Sequence, residues 1–361
     1  MIKEKKISAY QMFLILFLGR IFLPMTYMPS LTINVGLSDI LFQVVFTGVL
    51  VLITSIPMFF VLRNNSNTNI IGRFSVISPV LSKVVAWLYG AVFIYIGFVT
   101  LLRFDLFATS VIFPQTDFRF FLIIIIIICA IASLFGIEAI GRTSVFLFAI
   151  IIISIVLMLS FASKEFDWLN FTPPFYDGIR NPLMASVTSM SKSMVVMTPM
   201  LLMSNVRGNI KKTTFWWITL SEGFIFILFF FVVGCMGLYA STQLFPIYSL
   251  TVLAVIGTFA RLDVLLTSSW ILCVFNNISL FLYIFKENMQ KSVTPKYKKL
   301  YTLIGALILS VAVYLVKQNL SAIDILHNPS LDVPLYIFFV VLIPVVLLIC
   351  EKIKKNRGKE P

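Results

Sequence analysis

Three basic side chains of this 361-residue chain fall inside apolar runs, where a charge needs a reason: Arg20, Arg103 and Lys192. Arg20 lies in Gly19-Arg20-Ile21-Phe22-Leu23-Pro24, near the middle of an apolar stretch at 8–30 and beside a glycine and a helix-breaking proline. Lys192 lies among hydroxyls, with Ser186, Thr188, Ser189, Ser191, Ser193 and Thr198 around it and Pro199 just beyond. A guanidinium or ammonium in apolar surroundings requires an anion, supplied by a protein carboxylate or by an acidic group of a ligand. Glu222, deep in a later apolar run, can be the counter-ion of either or a proton carrier. Tyr95, Asn276 and Asn277 are neutral polar groups at comparable depth, able to hydrogen-bond a ligand or a neighbouring helix. Arg103 and Asp105 stand two apart, so on a helix they do not face each other and each needs another partner or water.

Covalent chemistry has less to work with. Ser189 and Lys192 have the i, i+3 spacing of a Ser-Lys dyad, but no oxyanion-stabilising motif accompanies them. The one histidine, His327, falls in a loop, and no His, Cys and carboxylate group has metal-ligand spacing. No glycine-rich phosphate loop is present. Neither an enzyme nor a resident metal or cofactor is expected, and the chemistry left is non-covalent binding of a small solute.

Composition says where that binding takes place. Hydrophobic residues make up 60% of the chain and charged ones 12%, with a mean hydropathy of +1.01, against roughly 45–50% apolar content in a soluble domain. This is the composition of an integral membrane protein. Lys3, Lys5 and Lys6 before an apolar run imitate a signal peptide, but no small-residue cleavage site follows, and the segment reads as a retained membrane helix. The net charge of +13 does not point to nucleic acid, because the basic residues flank apolar spans instead of forming a face with stacking aromatics. Cys129, Cys235, Cys273 and Cys350 lie within apolar stretches without C-x-x-C spacing and read as small buried residues.

Apolar runs long enough to span a bilayer occur at 8–30, 38–62, 81–113, 119–135, 137–161, 182–204, 214–239, 262–285, 299–316 and 334–350. With the N-terminus inside, 20 of the 28 Lys and Arg residues fall in inner segments and 5 in outer ones. The positive-inside rule therefore predicts an all-α polytopic protein of ten transmembrane helices with both termini cytoplasmic. The chain reads as a single transmembrane domain, 1–361, with a first five-helix repeat at 1–161, a second at 182–350 and a basic cytoplasmic tail at 351–361. Helices one and six, each first in its half, carry the defects at Gly19–Pro24 and around Lys192. Paired broken helices are the pattern of a five-plus-five inverted repeat with substrate held between the breaks. The predicted site comprises Gly19, Arg20, Tyr95, Ser189, Lys192, Ser193 and Asn276, with Glu222 as counter-ion or proton site. Helix ten, containing Pro344, reads as scaffold. Among the loops, 63–69 is a polar inner turn, 167–177 is an aromatic and proline-rich lid, partner contact or packed plug, and 244–258 is a helix lying on, or dipping into, the outer face.

Particular runs carry a resemblance. Lys6-Ile7-Ser8-Ala9-Tyr10-Gln11, Gly136-Ile137-Glu138-Ala139-Ile140-Gly141-Arg142, and Phe245-Pro246 followed by Phe259-Ala260-Arg261-Leu262-Asp263 and Trp270 resemble the B subunits of spore germinant receptors. These are spore germination permeases of the amino acid–polyamine–organocation superfamily. The resemblance covers essentially the whole chain. It implies the inverted-repeat transporter fold and a nutrient-sensing subunit of the spore inner membrane, with an amino acid as ligand and A and C subunits as partners. A working secondary transporter of amino acids or other small solutes is the alternative, and a structural scaffold for partner subunits a third. Arg20 departs from the small residues usual there in the wider superfamily, and Ala260 stands where an acidic residue is expected.

The charge bias sets a test of topology. Single cysteines placed at Ser66, Thr294 and Asn356 are expected to react with an impermeant thiol reagent from the cytoplasmic side alone, and those at Ser163 and Ser321 from outside alone. Opposite labelling at any two of these positions overturns the ten-helix arrangement.

Overall fold

Apolar runs of this length leave the backbone only itself to hydrogen-bond with, and nearly every one folds as helix. The computed structural model describes residues 6–25, 35–63, 68–112, 119–171, 173–176, 178–253, 262–293, 297–319 and 329–357. In chain order the helices are α1 Ala9–Met25, α2 Asp39–Thr54, α3 Ile56–Arg63, α4 Ile70–Ile77, α5 Pro79–Phe107, α6 Arg119–Phe135, α7 Ile137–Ala162, α8 Arg180–Ser191, α9 Thr198–Leu202, α10 Ile210–Met236, α11 Tyr239–Thr242, α12 Pro246–Leu253, α13 Leu262–Ser292, α14 Lys298–Asn319, α15 Pro329–Tyr336 and α16 Ile343–Arg357. Wide π turns extend α5 over Ala108–Ile112 and join α15 to α16 over Ile337–Leu342. Tyr89 on α5 donates to the Phe339 carbonyl inside the second of these, a buried bond of 3.1 Å.

Among the described residues five helical stretches are long and apolar enough to cross a membrane alone: Pro79–Ile112, Ile137–Glu165, Ile210–Met236, Asp263–Ser292 and Pro329–Asn356. The bent pair α2 and α3 makes a sixth if the two are taken as one span. Its 45° bend follows from Pro57, which lacks the N–H that would bond the Ile53 carbonyl. Shorter apolar helices, Ala9–Ile21, Phe121–Phe135, Met194–Asn205 and Lys299–Leu315, occupy other runs expected to span. On α6 and α7 the isoleucines 123, 127, 131, 150 and 153 are exposed, which suits a lipid-facing surface. The protein is a multi-pass membrane protein.

At the centre stands α13, packed against α5, α6, α7, α14 and α1. Its Trp270, Cys273, Val274, Ile278 and Phe281 are fully buried, as a helix surrounded by five others requires. Trp270 stacks on Phe107 of α5 at 3.5 Å between centroids, and Phe245 meets both rings edge-on. The Phe245 and Trp270 positions of the sequence resemblance thus meet in one aromatic cluster.

The other two runs of that resemblance also meet. Ser8 and Gln11 close a reciprocal cap at the start of α1: the Gln11 amide N–H donates to Ser8 Oγ (3.1 Å) and the Ser8 N–H to Gln11 Oε1 (3.0 Å). The two-residue strand β1, Ile7–Ser8, pairs in parallel with β2, Val206–Arg207. A Cβ on Gly141 would come within 3.0 Å of Ile7, so the glycine lets α7 approach this junction. Nearby, Arg73 of α4 makes a two-pronged pair with Glu351 of α16 (2.7 and 2.5 Å) and donates to the Val61 carbonyl at 2.7 Å.

Several expectations are corrected. Helix one is unbroken through Gly19 and Arg20 to Met25. A lone glycine costs a helix only about 1 kcal/mol, and Pro24 falls in the last described turn, where it removes only the donor to the Arg20 carbonyl. Helix six is interrupted: α8 ends at Ser191, Lys192 and Ser193 form a turn, and a 3-10 turn over Met194–Met197 leads into α9. The amphipathic α4 was not expected. The loop from Phe166, one of whose expected readings was a packed plug, packs in that way: Phe166, Trp168 and Phe171 cluster with Phe230 on α10, and the Asn170 amide donates to the Gly234 carbonyl at 2.7 Å. Residues 64–67, 254–258, Phe259-Ala260-Arg261 and His327 lie outside the described residues.

The plug yields a stability test. A Cβ on Gly234 would overlap the Phe166 ring, whereas one on Gly223, on the same helix, meets nothing within 4 Å. Gly234→Ala is expected to destabilise the detergent-solubilised protein by about 1–3 kcal/mol, and Gly223→Ala to leave it neutral or slightly more stable. Thermal unfolding of the pair checks this, and equal midpoints would show that the plug does not bear on the fold.

Candidate functional site

The interruption at Lys192 and Ser193 opens a cavity beside the middle of α1. It measures about 60 Å³ and is lined by residues of α1, α5, the α8–α9 connection, α10, α13 and α15. By this measure one water needs about 10–15 Å³, so the space fits a few waters or a small solute. Five of the expected residues, Gly19, Arg20, Tyr95, Lys192 and Ser193, line it together.

Arg20 is fixed from two sides. Its Nε and Nη2 both donate to Glu222 Oε1 on α10, the former at 3.0 Å, and its Nη1 donates to Ser193 Oγ at 2.5 Å. Both partners are buried, Arg20 at 6% exposure and Glu222 at 9%. The carboxylate is backed by α2, where Gly48 leaves room for it: a Cβ there would lie 3.3 Å from Glu222 Cγ. Glu222 is therefore the counter-ion of Arg20, one of the roles open to it in the sequence. Ser193 is shared, since its hydroxyl also bonds the Ser189 carbonyl at 3.2 Å and lines the cavity.

On the facing side Tyr95 of α5 donates to Asp332 Oδ1 of α15 at 2.7 Å. Asp332, Arg103 and Lys192 line the same cavity, so with Arg20 and Glu222 the site holds three cations and two carboxylates. The apolar walls include Trp217, Phe281 and Val99. Asn277, 2% exposed, brings an Oδ1 that has no donor among the described residues. That oxygen would lie 2.8 Å from a Cβ on Gly19, so the glycine admits the amide to the cavity edge.

Ser189 and Asn276 lie outside this lining. Ser189 Oγ accepts from Gln43 Nε2 at 2.9 Å, in a polar seam where α8 meets α2. Asn276 accepts from Ser144 Oγ at 2.7 Å and donates to the Ile15 carbonyl at 3.3 Å, tying α13 to α7 and α1. One residue along a helix is a rotation of about 100°, which is why Asn277 reaches the cavity and Asn276 does not. The sequence reading missed Asp332, because α15 begins before the apolar run that marked helix ten. Its signal was an acidic residue two places from Pro334, at the approach to a span. Arg103, expected at an outer gate, reaches the cavity as well. Among the described residues no group of three or more His, Cys, Asp or Glu could hold a metal.

The comparisons with known proteins agree with this architecture. None of the curated proteins matches the chain. A solved structure of Mhp1, a nucleobase-cation-symport-1 family transporter in a closed conformation with bromovinylhydantoin bound, is similar with a TM-score of 0.58 and 16% identity. The similarity covers 93% of this chain and 78% of that one, and it shows a transporter fold. The family model described as spore germination protein matches residues 6–352. This multi-pass membrane chain, with a small charged cavity at a helix interruption, belongs by its sequence to the spore germination permease family.

Proposed function

We propose that this chain is the membrane subunit of a nutrient germinant receptor, binding a small amino acid in the cavity and triggering spore germination together with A and C subunits. The observation that carries this reading is that one small cavity is lined by both signs of charge: Lys192 and Arg103, and the Asp332 carboxylate, which accepts from Tyr95. A zwitterion matches both, its carboxylate toward the cations and its ammonium toward Asp332. Charge-assisted bonds of this kind are the stronger class. Gly19, Ser193 and the acceptor at Asn277 complete the seat, and the small volume favours a short side chain. The ten-helix, five-plus-five arrangement with cytoplasmic termini and a place in the spore inner membrane belong to the same reading. The charge bias of the loops and the fold likeness support it.

A second reading, a secondary transporter of amino acids or other small solutes, is favoured by the likeness to a transporter fold. The Arg20–Glu222 pair weighs against it. Alternating access requires the empty site to reorient, and a buried guanidinium must keep its counter-charge throughout or incur a penalty of several kcal/mol. Arg20, bonded at once to α10 and to the interruption of helix six, holds one arrangement.

Three measurements test the reading. Lys192→Met is expected to weaken the germination response to a carboxylate-bearing ligand roughly 10- to 150-fold, the worth of one charge-assisted hydrogen bond. An unchanged dose–response curve in a well-expressed variant would remove Lys192 from the site. Asp332→Asn is expected to weaken the response to an amino acid more than binding of its deaminated analogue, and equal losses would remove the ammonium contact. In liposomes the isolated chain is expected to bind labelled amino acid with little sustained uptake. Gradient-driven accumulation would establish the transporter, and Arg20→Gly, which frees Glu222, separates the two steps. Loss of signalling with ligand binding retained places Arg20 in transmission, and loss of both places it in the seat.

A further inference from the structure

A second concavity lies on the surface, lined by none of the residues of the charged cavity. It occupies about 440 Å³ between α3 and the start of α10 and is lined by Ile56, Phe59, Phe60, Asn209, Lys211, Lys212 and Phe215. The residues divide by depth. Lys211 and Lys212 stand in the first turn of α10, and Phe215 follows one turn on, about 5–6 Å further along the axis. Ile56, Phe59 and Phe60 have the i, i+3, i+4 spacing of one helix face, and Phe59 lies 6.4 Å from Phe215 across the groove floor. Ile56, Phe60 and Phe215 are exposed at 48%, 54% and 44%, so the floor is uncovered by protein.

Two features make this more than general contact with lipid. The 45° bend at Ser55 and Pro57 separates α3 from the line of α2 and leaves a recess against α10. The polar lining is Lys211, Lys212 and Asn209: among the described residues no carboxylate lines the groove, and Arg207 precedes α10 while α3 closes on Arg63. Asn209 caps the Lys212 N–H at 3.0 Å but satisfies one donor of the helix end, whose dipole also favours an anion. An apolar floor one helical turn below a pair of ammonium groups has the polarity profile of an acyl chain beneath a phosphate.

We propose that this groove is a binding site for one anionic phospholipid, its phosphate held by Lys211 and Lys212 and an acyl chain laid over Phe59, Phe60 and Phe215. The site is independent of the ligand reading of the cavity. A soluble phosphate would leave the phenylalanine floor unused, and a zwitterionic lipid would bring its own cation to the lysines. Basic recesses between transmembrane helices are the places where lipid headgroups bind selectively, with about a fivefold gain in affinity for each Lys or Arg near the surface.

Native mass spectrometry and thermal shift of the full chain in neutral detergent test the proposal, with phosphatidylglycerol and phosphatidylcholine of identical acyl chains and with soluble glycerol 3-phosphate. The expected result is one retained phosphatidylglycerol, a stabilising shift that phosphatidylcholine does not match, and no shift from glycerol 3-phosphate. Lys211→Gln with Lys212→Gln is expected to lower phosphatidylglycerol affinity roughly 10- to 30-fold and leave phosphatidylcholine retention unchanged. Both lysines are exposed, as are Lys83 and Lys299, whose paired replacement is expected to change neither. Equal retention of the two lipids, wild-type affinity in the Lys211 and Lys212 variant, or an equal loss in the Lys83 and Lys299 variant would overturn the site. An equal shift from glycerol 3-phosphate would replace it with a free-phosphate site.

Discussion

A guanidinium buried in the middle of a membrane protein is the constraint that orders the rest of this structure. Arg20 satisfies it with Glu222 and Ser193, and each partner draws in an element of its own. Glu222 brings α10, and Gly48 on α2 gives its carboxylate room. Ser193 brings the interruption of helix six, so the break sits where a hydroxyl can face the arginine. Separating such a pair strands a charge at a cost of several kcal/mol. α1 and α10 therefore move together or not at all, with the α8–α9 connection joined to them by the neutral Ser193 bond.

The hydroxyl-rich stretch before Lys192 has a structural use once α2 is considered. Gln43 bonds Ser189, Ser186 bonds the Gln43 carbonyl at 3.1 Å, and Thr54 reaches Tyr336 at 2.8 Å. The first two contacts hold α8 against α2 to within a turn of Ser191, where the helix stops, and the third ties α2 to α15. Rigid support on one side and a break on the other concentrate the adaptable backbone at Lys192 and Ser193. Interhelical hydroxyl bonds of this kind are worth about 0.6 kcal/mol each in membranes, so the seam acts through number.

What was legible in the sequence follows from what a membrane forbids. Charges in apolar runs are rare, so Arg20, Lys192 and Glu222 stood out, and the structure brings two of them into one ion pair and the third into the adjoining cavity. The apolar runs marked the helices, and the interruption near Lys192 followed from polar density. The integrity of helix one did not follow, because whether a proline breaks a helix depends on the turn it occupies. The choice between Asn276 and Asn277 was beyond reach too, since helix rotation is set by neighbours and not by composition. Asp332 escaped because hydropathy ends a span where charge begins, whereas α15 carries its aspartate inward to Tyr95. α4 is a short amphipathic helix capped locally by Asn69 and fixed by the Arg73–Glu351 pair, a contact spanning 278 residues that no local pattern reveals.

The cavity contains two charge systems of different kinds, and their meeting point decides how binding can be felt. Arg20 and Glu222 form a closed pair, with no need of a ligand. Lys192, Arg103 and Asp332 line the cavity itself and, in the sensor reading, offer both signs of charge to a small zwitterion. A ligand shifts a conformational equilibrium only by the difference in its affinity for the two states, so its contacts must include a group whose position differs between them. Ser193 is such a group. It lines the cavity, it accepts from Arg20, and it sits in the turn where helix six is free to change its winding. In the sensor reading, a ligand that competes for the Ser193 hydroxyl alters the third contact of Arg20 while leaving the Glu222 pair intact. The charge stays neutralised, so the change avoids the penalty that blocks reorientation, and the α8–α9 connection shifts against α1 and α10. The same pair that opposes transport is then what makes a small local rearrangement transmissible.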